Sequence, residues 1–131
     1  MSERDGGYRG YIGSRPVFGN RTPQHVQNLV IRDYAHRHGL AYKLSATEYA
    51  MPGCYMMLNQ VLAELAELDG IVAFTLFMLP RRPDRRLAVY RRILEAGASL
   101  HMALEGFVLR DEADIGRLED VWLVHSLQHP Q

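Results

Sequence analysis

The chain has 131 residues, which suits one domain that removes roughly two-thirds of its unfolded surface from water. Its 15 basic and 15 acidic residues cancel, so no overall field attracts nucleic acid or an anionic membrane. With one cysteine, no apolar leader and no apolar run of about 18 residues, we expect a cytoplasmic protein without an internal disulfide or a membrane partner.

The first half of the chain alternates strand and helix patterns. Thr22 before Pro23 is typical of a helix N-cap, and Gly39 is typical of a C-cap. The predicted elements here are a flexible tail at 1–7, a strand at 8–13, a helix at 23–38, a strand at 40–46 and a helix at 55–68.

The second half continues the alternation. The run IVAFTLF is apolar throughout, which is typical of a strand covered on both faces. The predicted elements are a strand at 71–77, a helix at 83–96, a strand at 99–105 and a helix at 111–127. The order predicts one α/β domain over 1–131, with a three-layer, mostly parallel four-stranded sheet and helices on both faces.

The strand ends are the expected site, because ligands of open parallel sheets bind outside the carboxyl ends. Polar or sulfur-bearing side chains at these ends are Ser14, Arg15, Ser45, Glu48, Tyr49, Met78, Arg81 and Glu105. We expect one pocket to be lined together by Ser14, Glu48, Arg81 and Glu105.

Four of these side chains, and His101 within the fourth predicted strand, suggest chemistry. Ser14 and Arg15 can hold a phosphate or carboxylate, or Ser14 can be a nucleophile; an ordinary turn explains them as well. Glu48 and Glu105 follow different strands, as an acid and base pair requires, although a lone strand-end Glu is often solvated or caps a helix. His101 is a candidate acid or base, but a hydrogen-bonded core histidine is the favoured interpretation.

Two groups of helix residues suggest ligand binding. Gln24, Asn28 and Arg32 are spaced to share one helix face that could bind a hydroxyl-rich ligand, and a solvated surface explains them equally well. Six arginines lie between 81 and 92. They cannot all face one ligand, so we expect Arg81 or Arg85 to point toward the site and the others to be solvated or paired with acids.

Neither a metal nor a cofactor is expected. The six histidines form no HExxH pattern, and neither GxGxxG nor GxxxxGK occurs.

The last predicted helix is broadly apolar and predicts self-association. Its apolar residues are Ile115, Leu118, Val121, Trp122, Val124 and Leu127. This is more apolar width than packing on one sheet face requires, so we predict a homo-oligomer through this helix. The alternative is that the helix covers the far face of its own sheet.

The layout over about 8–109 resembles the catalytic domain of serine recombinases, the resolvases and invertases. The matching features include a Tyr-initiated strand followed by a serine, LDGIV into the third strand, LPR after it, and GASLHMALE. The resemblance implies a nucleophile's position for Ser14 and a motif arginine for Arg81. Three arginines that it also implies are replaced by Ile12, Met51 and Met78. Phosphodiester transfer needs several guanidiniums, so DNA cleavage is not expected. A nucleic-acid partner is not expected either, because the chain has no net basic charge and no recognition module.

Longer stretches resemble the small sporadic carbohydrate cluster proteins, found among genes for unusual surface sugars. The carrying stretches are GYIGSRP, PQHVQNLVIRDY, LSATEYAM, DGIVAFTLFMLP and SLHMALE. This resemblance implies a role in carbohydrate biosynthesis. We predict an enzyme of isomerase, epimerase or dehydratase type acting on a sugar phosphate or nucleotide sugar. Its predicted catalytic groups are Ser14, Glu48, His101 and Glu105, and its predicted anion anchors are Arg15, Arg32 and Arg81. The alternatives are a non-catalytic sugar-binding or partner-binding module and a degenerate recombinase domain that still binds DNA.

Overall fold

A computed structural model describes residues 6–17 and 19–128. The strands are β1 (Tyr8–Gly13), β2 (Tyr42–Glu48), β3 (Gly70–Ala73), β4 (Ser99–Met102) and β5 (Phe107–Leu109). The helices are α1 (Gln24–Arg37), α2 (Met56–Ala63), α3 (Pro83–Glu95) and α4 (Glu112–Gln128), with short 3₁₀ helices at Leu65–Glu67 and Leu76–Met78. No helix in the described part of the chain is both long and apolar enough to cross a membrane.

The sheet has the strand order β2-β1-β3-β4-β5, and its first four strands are parallel. The chain moves from β1 outward to β2 through α1, and then back across the sheet through α2 and α3. Since such crossovers are right-handed, α1 lies on one face and α2 and α3 lie on the other. The α/β, mostly parallel architecture is therefore confirmed.

The number of strands was predicted wrongly. The sheet has five strands, because the chain turns at Gly106 and adds β5 antiparallel to β4. Gly106 has a φ of +78°, which favours glycine, and its N–H donates to the Met102 carbonyl at 2.8 Å. The predicted strand at 99–105 is thus a four-residue strand followed by a turn.

Several predicted boundaries also move. The second strand extends to Glu48 and the third ends at Ala73, where the chain turns into the 3₁₀ helix Leu76–Met78. Helix α1 has Pro23, not Thr22, at its N-cap, without a side-chain cap hydrogen bond. Of the predicted tail, 1–5 lies outside the described residues, while the Gly6 N–H donates to the Glu67 carbonyl at 3.0 Å.

The central strand β3 is buried over its whole length, as its apolar sequence predicts. Helix α4 packs on its own fold through Ile115, Leu118 and Trp122. On the same helix Leu123, Val124 and Leu127 remain exposed. Self-association through α4 stays a prediction.

Candidate functional site

A pocket of about 240 Å³ lies at the carboxyl ends of the parallel strands, and we call it the strand-end pocket. It is lined by Gly13, Arg15, Val17, Asn20, Thr22, Gln27, Glu48, Phe74, Thr75, Phe77, Met78, Leu104, Glu105 and His125. Its position agrees with the general rule for parallel sheets. Its volume falls just below that of typical drug-sized sites, so it suits a small ligand.

Glu48 is buried in the wall of the pocket and is fully engaged by the fold. One carboxylate oxygen accepts from the Tyr11 hydroxyl at 2.8 Å and the Leu58 N–H at 3.0 Å. The other accepts from the N–H groups of Tyr49 at 3.2 Å and Met57 at 3.1 Å. Two of these donors belong to the first turn of α2, where N–H groups have no partner within the helix. Glu48 therefore caps α2 from the neighbouring strand.

The phenol of Tyr11, which donates to Glu48, also has a structural role. Burial, together with the hydrogen bond to Glu48, raises the pKa of Tyr11 far above its ordinary value. The Tyr11 hydroxyl thus keeps the proton that it donates to Glu48.

Two further polar residues of the wall hold loops in place. A terminal nitrogen of Arg15 donates to the carbonyls of Met51 and Cys54, each at 3.0 Å, and its guanidinium carbon lies 4.8 Å from the centre of the Tyr55 ring. The side-chain amide of buried Gln27 accepts from the Gly13 N–H at 3.0 Å and donates to the Gly13 carbonyl at 2.9 Å. Both side chains shape the pocket rather than extend freely into it.

Glu105 lies across the pocket and is half-buried. Its carboxylate accepts a short hydrogen bond from the Thr75 hydroxyl and another from the Leu76 N–H at 3.1 Å. It therefore fixes the start of the 3₁₀ helix that carries Phe77 into the pocket. The ring of Phe77 stacks on His125 with 4.1 Å between ring centres, and together they form an aromatic wall.

Of the predicted catalytic and ligand-binding residues, only Arg15, Glu48 and Glu105 line the pocket, and Met78, also placed at a strand end, lines it with them. The predicted residues outside the lining are Ser14, Gln24, Asn28, Arg32, Ser45, Tyr49, Arg81 and His101. The expectation that Ser14, Glu48, Arg81 and Glu105 line one pocket together is wrong for Ser14 and Arg81. Instead, the Ser14 hydroxyl accepts from the Gln24 side-chain amide at 2.9 Å.

Two of the predicted ligand-binding residues lie against Tyr42, the first residue of β2. The guanidinium carbon of Arg32 is 5.9 Å from the centre of the Tyr42 ring, and the Ser45 and Tyr42 hydroxyls are hydrogen-bonded at 2.7 Å. Tyr42 lies at the amino end of its strand, whereas the pocket lies at the carboxyl ends. Arg32 is thereby separated from the pocket.

His101 is a core histidine, which was the favoured interpretation. Its ring nitrogens are 2.8 Å from the Tyr34 hydroxyl and 3.2 Å from the Ser99 hydroxyl. Burial is the main cause that lowers the pKa of His101 to about 4, with a smaller contribution from Arg110. The imidazole is neutral at pH 7 and lies away from both carboxylates of the pocket.

Two members of the arginine cluster between 81 and 92 form ion pairs with acidic residues. Buried Arg86 donates to both carboxylate oxygens of Glu119, at 2.7 and 2.6 Å, and its guanidinium carbon lies 4.1 Å from the centre of the Trp122 ring. Arg82 pairs with Asp84 at 2.9 Å. These two follow the expectation of pairing with acids.

Residues that the sequence did not single out form most of the pocket. Phe74, Thr75 and Phe77 were assigned to a continuous strand, but the strand ends at Ala73 and the chain turns them toward the pocket. A threonine inside an apolar run was the available signal, because Ser and Thr favour caps and turns. His125 reaches the pocket from α4, and its spacing gave no such signal.

The fold is that of serine recombinase catalytic domains. One similar solved structure is a resolvase family site-specific recombinase from Streptococcus pneumoniae, with a TM-score of 0.63 and 13% identity over 92% of this chain and 89% of that chain. Another is the N-terminal catalytic domain of TP901-1 integrase, with a TM-score of 0.58 and 11% identity over 92% of this chain and 95% of that chain. No protein-family model matches, and no curated protein matches in sequence. The comparisons therefore support the recombinase-like layout and give no support to the sporadic carbohydrate cluster resemblance.

Proposed function

We propose that this chain is a degenerate serine-recombinase-like domain that has no strand-exchange activity and binds a small, uncharged, hydroxyl-rich ligand, such as a sugar, in the strand-end pocket. The observation that carries the proposal is that the charged groups of the pocket wall are engaged in hydrogen bonds that build the wall itself.

The absence of phosphate-stabilising arginines argues against DNA chemistry. The positions where the recombinase resemblance implies arginines hold Ile12, which is buried in the core, Met51, which is exposed, and Met78, which lines the pocket. Losing one such donor typically costs a hundredfold or more in rate. Ser14 therefore lacks three of the guanidiniums that would stabilise the charge developing on a phosphate.

The engagement of both carboxylates favours binding over acid and base catalysis. A general base needs an oxygen within hydrogen-bonding reach of the substrate proton. Each oxygen of Glu48 already accepts at least two hydrogen bonds within the protein, and Glu105 accepts from Thr75 and Leu76. A sugar isomerase, epimerase or dehydratase activity stays a prediction.

The lining of the pocket suits an uncharged ligand. Glu48 and Glu105 bring two negative charges against the single positive charge of Arg15, which disfavours a phosphate inside the pocket. Phe77 offers an apolar ring surface, and Asn20 and Thr22 add polar groups that can bond hydroxyls. A sugar ring matches this combination, and the phosphate or nucleotide of a sugar derivative would remain outside.

The single tryptophan of the chain reports on the pocket. Trp122 lies 5.0 Å from Phe77, centre to centre, so a ligand against Phe77 should change its fluorescence. We expect saturable changes on titration with neutral monosaccharides or with nucleotide sugars. Leu104, 59% exposed and lining the pocket, is suitable for a blocking variant. Leu104→Tyr should weaken binding at least tenfold.

Leu123→Tyr is the matched control, because Leu123 is 60% exposed on α4 and does not line the pocket. It should leave the affinity within twofold of the parent protein. Equal losses in both variants, or no saturable change with any neutral sugar, would contradict the binding proposal. Formation of a covalent DNA adduct that is lost in Ser14→Ala would contradict the absence of strand exchange.

A further inference from the structure

A second cavity, of about 280 Å³, lies between α2 and α3, and its lining includes Tyr55, whose ring contacts Arg15 of the strand-end pocket. We call it the α2–α3 groove. Its apolar surface includes the buried Leu58, Leu62 and Val89, and its lining also includes the exposed Arg85 and Arg92. An apolar floor with two cations is a different environment from that of the strand-end pocket.

The two arginines differ from other arginines on the same helix. Arg86 pairs with Glu119 and Arg82 pairs with Asp84, whereas neither Arg85 nor Arg92 has an ion pair or side-chain hydrogen bond with any described residue. They lie seven positions apart, which puts both on one face of α3 about 10 Å apart along the helix axis.

No acid in the opposite wall neutralises these charges. Helix α2 has the sequence MMLNQVLA and contains no charged residue. Glu64, directly after it, pairs with Arg9 at 2.7 Å. The groove therefore combines a local positive charge with an apolar floor in a chain whose formal net charge is zero.

We propose that the α2–α3 groove is a binding site for a small organic anion with an apolar body, which packs on Leu58, Leu62 and Val89 while its carboxylate or phosphate group bonds the guanidinium of Arg85 or Arg92. Arginine suits this role because its planar group binds carboxylate and phosphate through two parallel hydrogen bonds. Asn59 lines the same groove and can donate a further hydrogen bond. The proposal does not depend on the function of the strand-end pocket.

The test is a titration of the isotopically labelled full chain with octanoate, followed by the backbone amide signals in NMR spectra. Octan-1-ol serves as the uncharged probe of the same length. We expect octanoate to shift amides of 55–62 and 85–92 saturably at millimolar concentration, and octanol to bind at least fivefold more weakly.

Single variants identify the cations that are responsible. Arg85→Ser and Arg92→Ser should each weaken octanoate binding about fivefold. Arg91→Ser is the control, because Arg91 is exposed on α3, carries the same charge and does not line the groove; it should change the affinity less than twofold.

Three results would overturn the proposal. They are equal affinity for octanol and octanoate, equal loss in Arg91→Ser and Arg92→Ser, and shifts confined to the strand-end pocket or absent altogether. All these substitutions replace exposed side chains, so the variants should fold as the parent protein does.

Discussion

The strand-end pocket and the α2–α3 groove both contain charged side chains, but the fold uses them differently. In the pocket, Glu48 and Arg15 are bonded to backbone groups of the loop and helix that follow β2. In the groove, Arg85 and Arg92 have no such partners among the described residues. The difference teaches that a charged residue next to a cavity is free to pair with an opposite charge on a ligand only when the fold leaves that residue unengaged.

The largest effect on stability is expected at Arg86. This arginine is held in an ion pair, whereas Arg85 on the same helix has no ion pair with any described residue. Arg86→Met should lower the free energy of unfolding by about 3 to 5 kcal/mol, because it leaves Glu119 partly buried without its ion-pair partner. Urea unfolding measures the loss. Arg85→Met, at the adjacent exposed position, is the control and should cost less than about 0.5 kcal/mol. Similar losses in both variants would contradict the distinction.

Glu48→Gln tests whether the carboxylate of the pocket is structural. In the variant, the side-chain amide nitrogen of the glutamine must face an N–H or O–H group that now donates to Glu48. Because two donors then face each other, we expect a loss of about 2 to 3 kcal/mol in the free energy of unfolding. Glu105→Gln, in the same pocket with fewer bonds, should lose less. A Glu48→Gln protein as stable as the parent would favour a catalytic role for this carboxylate.

His101 extends the comparison to a buried group near neither cavity. Because burial holds its folded pKa at about 4, below the unfolded value near 6.5, protons bind the unfolded chain more tightly. The contribution of His101 to the free energy of unfolding is complete above pH 6.5. It should fall by about 2 kcal/mol as the pH is lowered from 6.5 to 5. We therefore expect the free energy of unfolding of His101→Gln, measured with urea, to fall less steeply between pH 6.5 and 5 than that of the parent protein. An unchanged slope would exclude His101 as the cause.

The smallest effect is expected in the groove. Arg92→Ser should change the free energy of unfolding by less than about 0.5 kcal/mol, since Arg92 is exposed and makes no described ion pair. Thermal unfolding at matched pH measures this. A loss above about 1 kcal/mol would mean that Arg92 stabilises the fold and that its guanidinium is not available to bind a ligand.

The sequence predicted the parallel core of the fold well. Helical periodicity and the uninterrupted apolar run identified the four helices and the central strand, because these patterns follow from which faces are buried. It missed β5, since Phe107–Leu109 has only three residues and depends on the turn at Gly106. Such a short edge strand is set by tertiary pairing and carries little pattern of its own.

The candidate site was only partly predictable. Strand-end position correctly brought Glu48 and Glu105 to one pocket, because parallel strands share a carboxyl edge. Arg81 and Ser14 do not line the pocket. The sequence could not show this, because position along the chain does not tell which way a side chain turns after its strand. The engagement of Glu48 depends on N–H groups ten residues away, which no local pattern reveals.

Saturation-transfer NMR on mixtures of the protein with neutral sugars and nucleotide sugars, followed over hours, tests the central claim most directly. One series of spectra reports both contact with the protein and any chemical conversion of the ligand. We predict transfer to sugar-ring protons, its loss in Leu104→Tyr, and unchanged ligand spectra throughout. Conversion of a sugar to an isomer or a dehydrated product, abolished in Glu48→Gln or Glu105→Gln folded as the parent, would contradict the account.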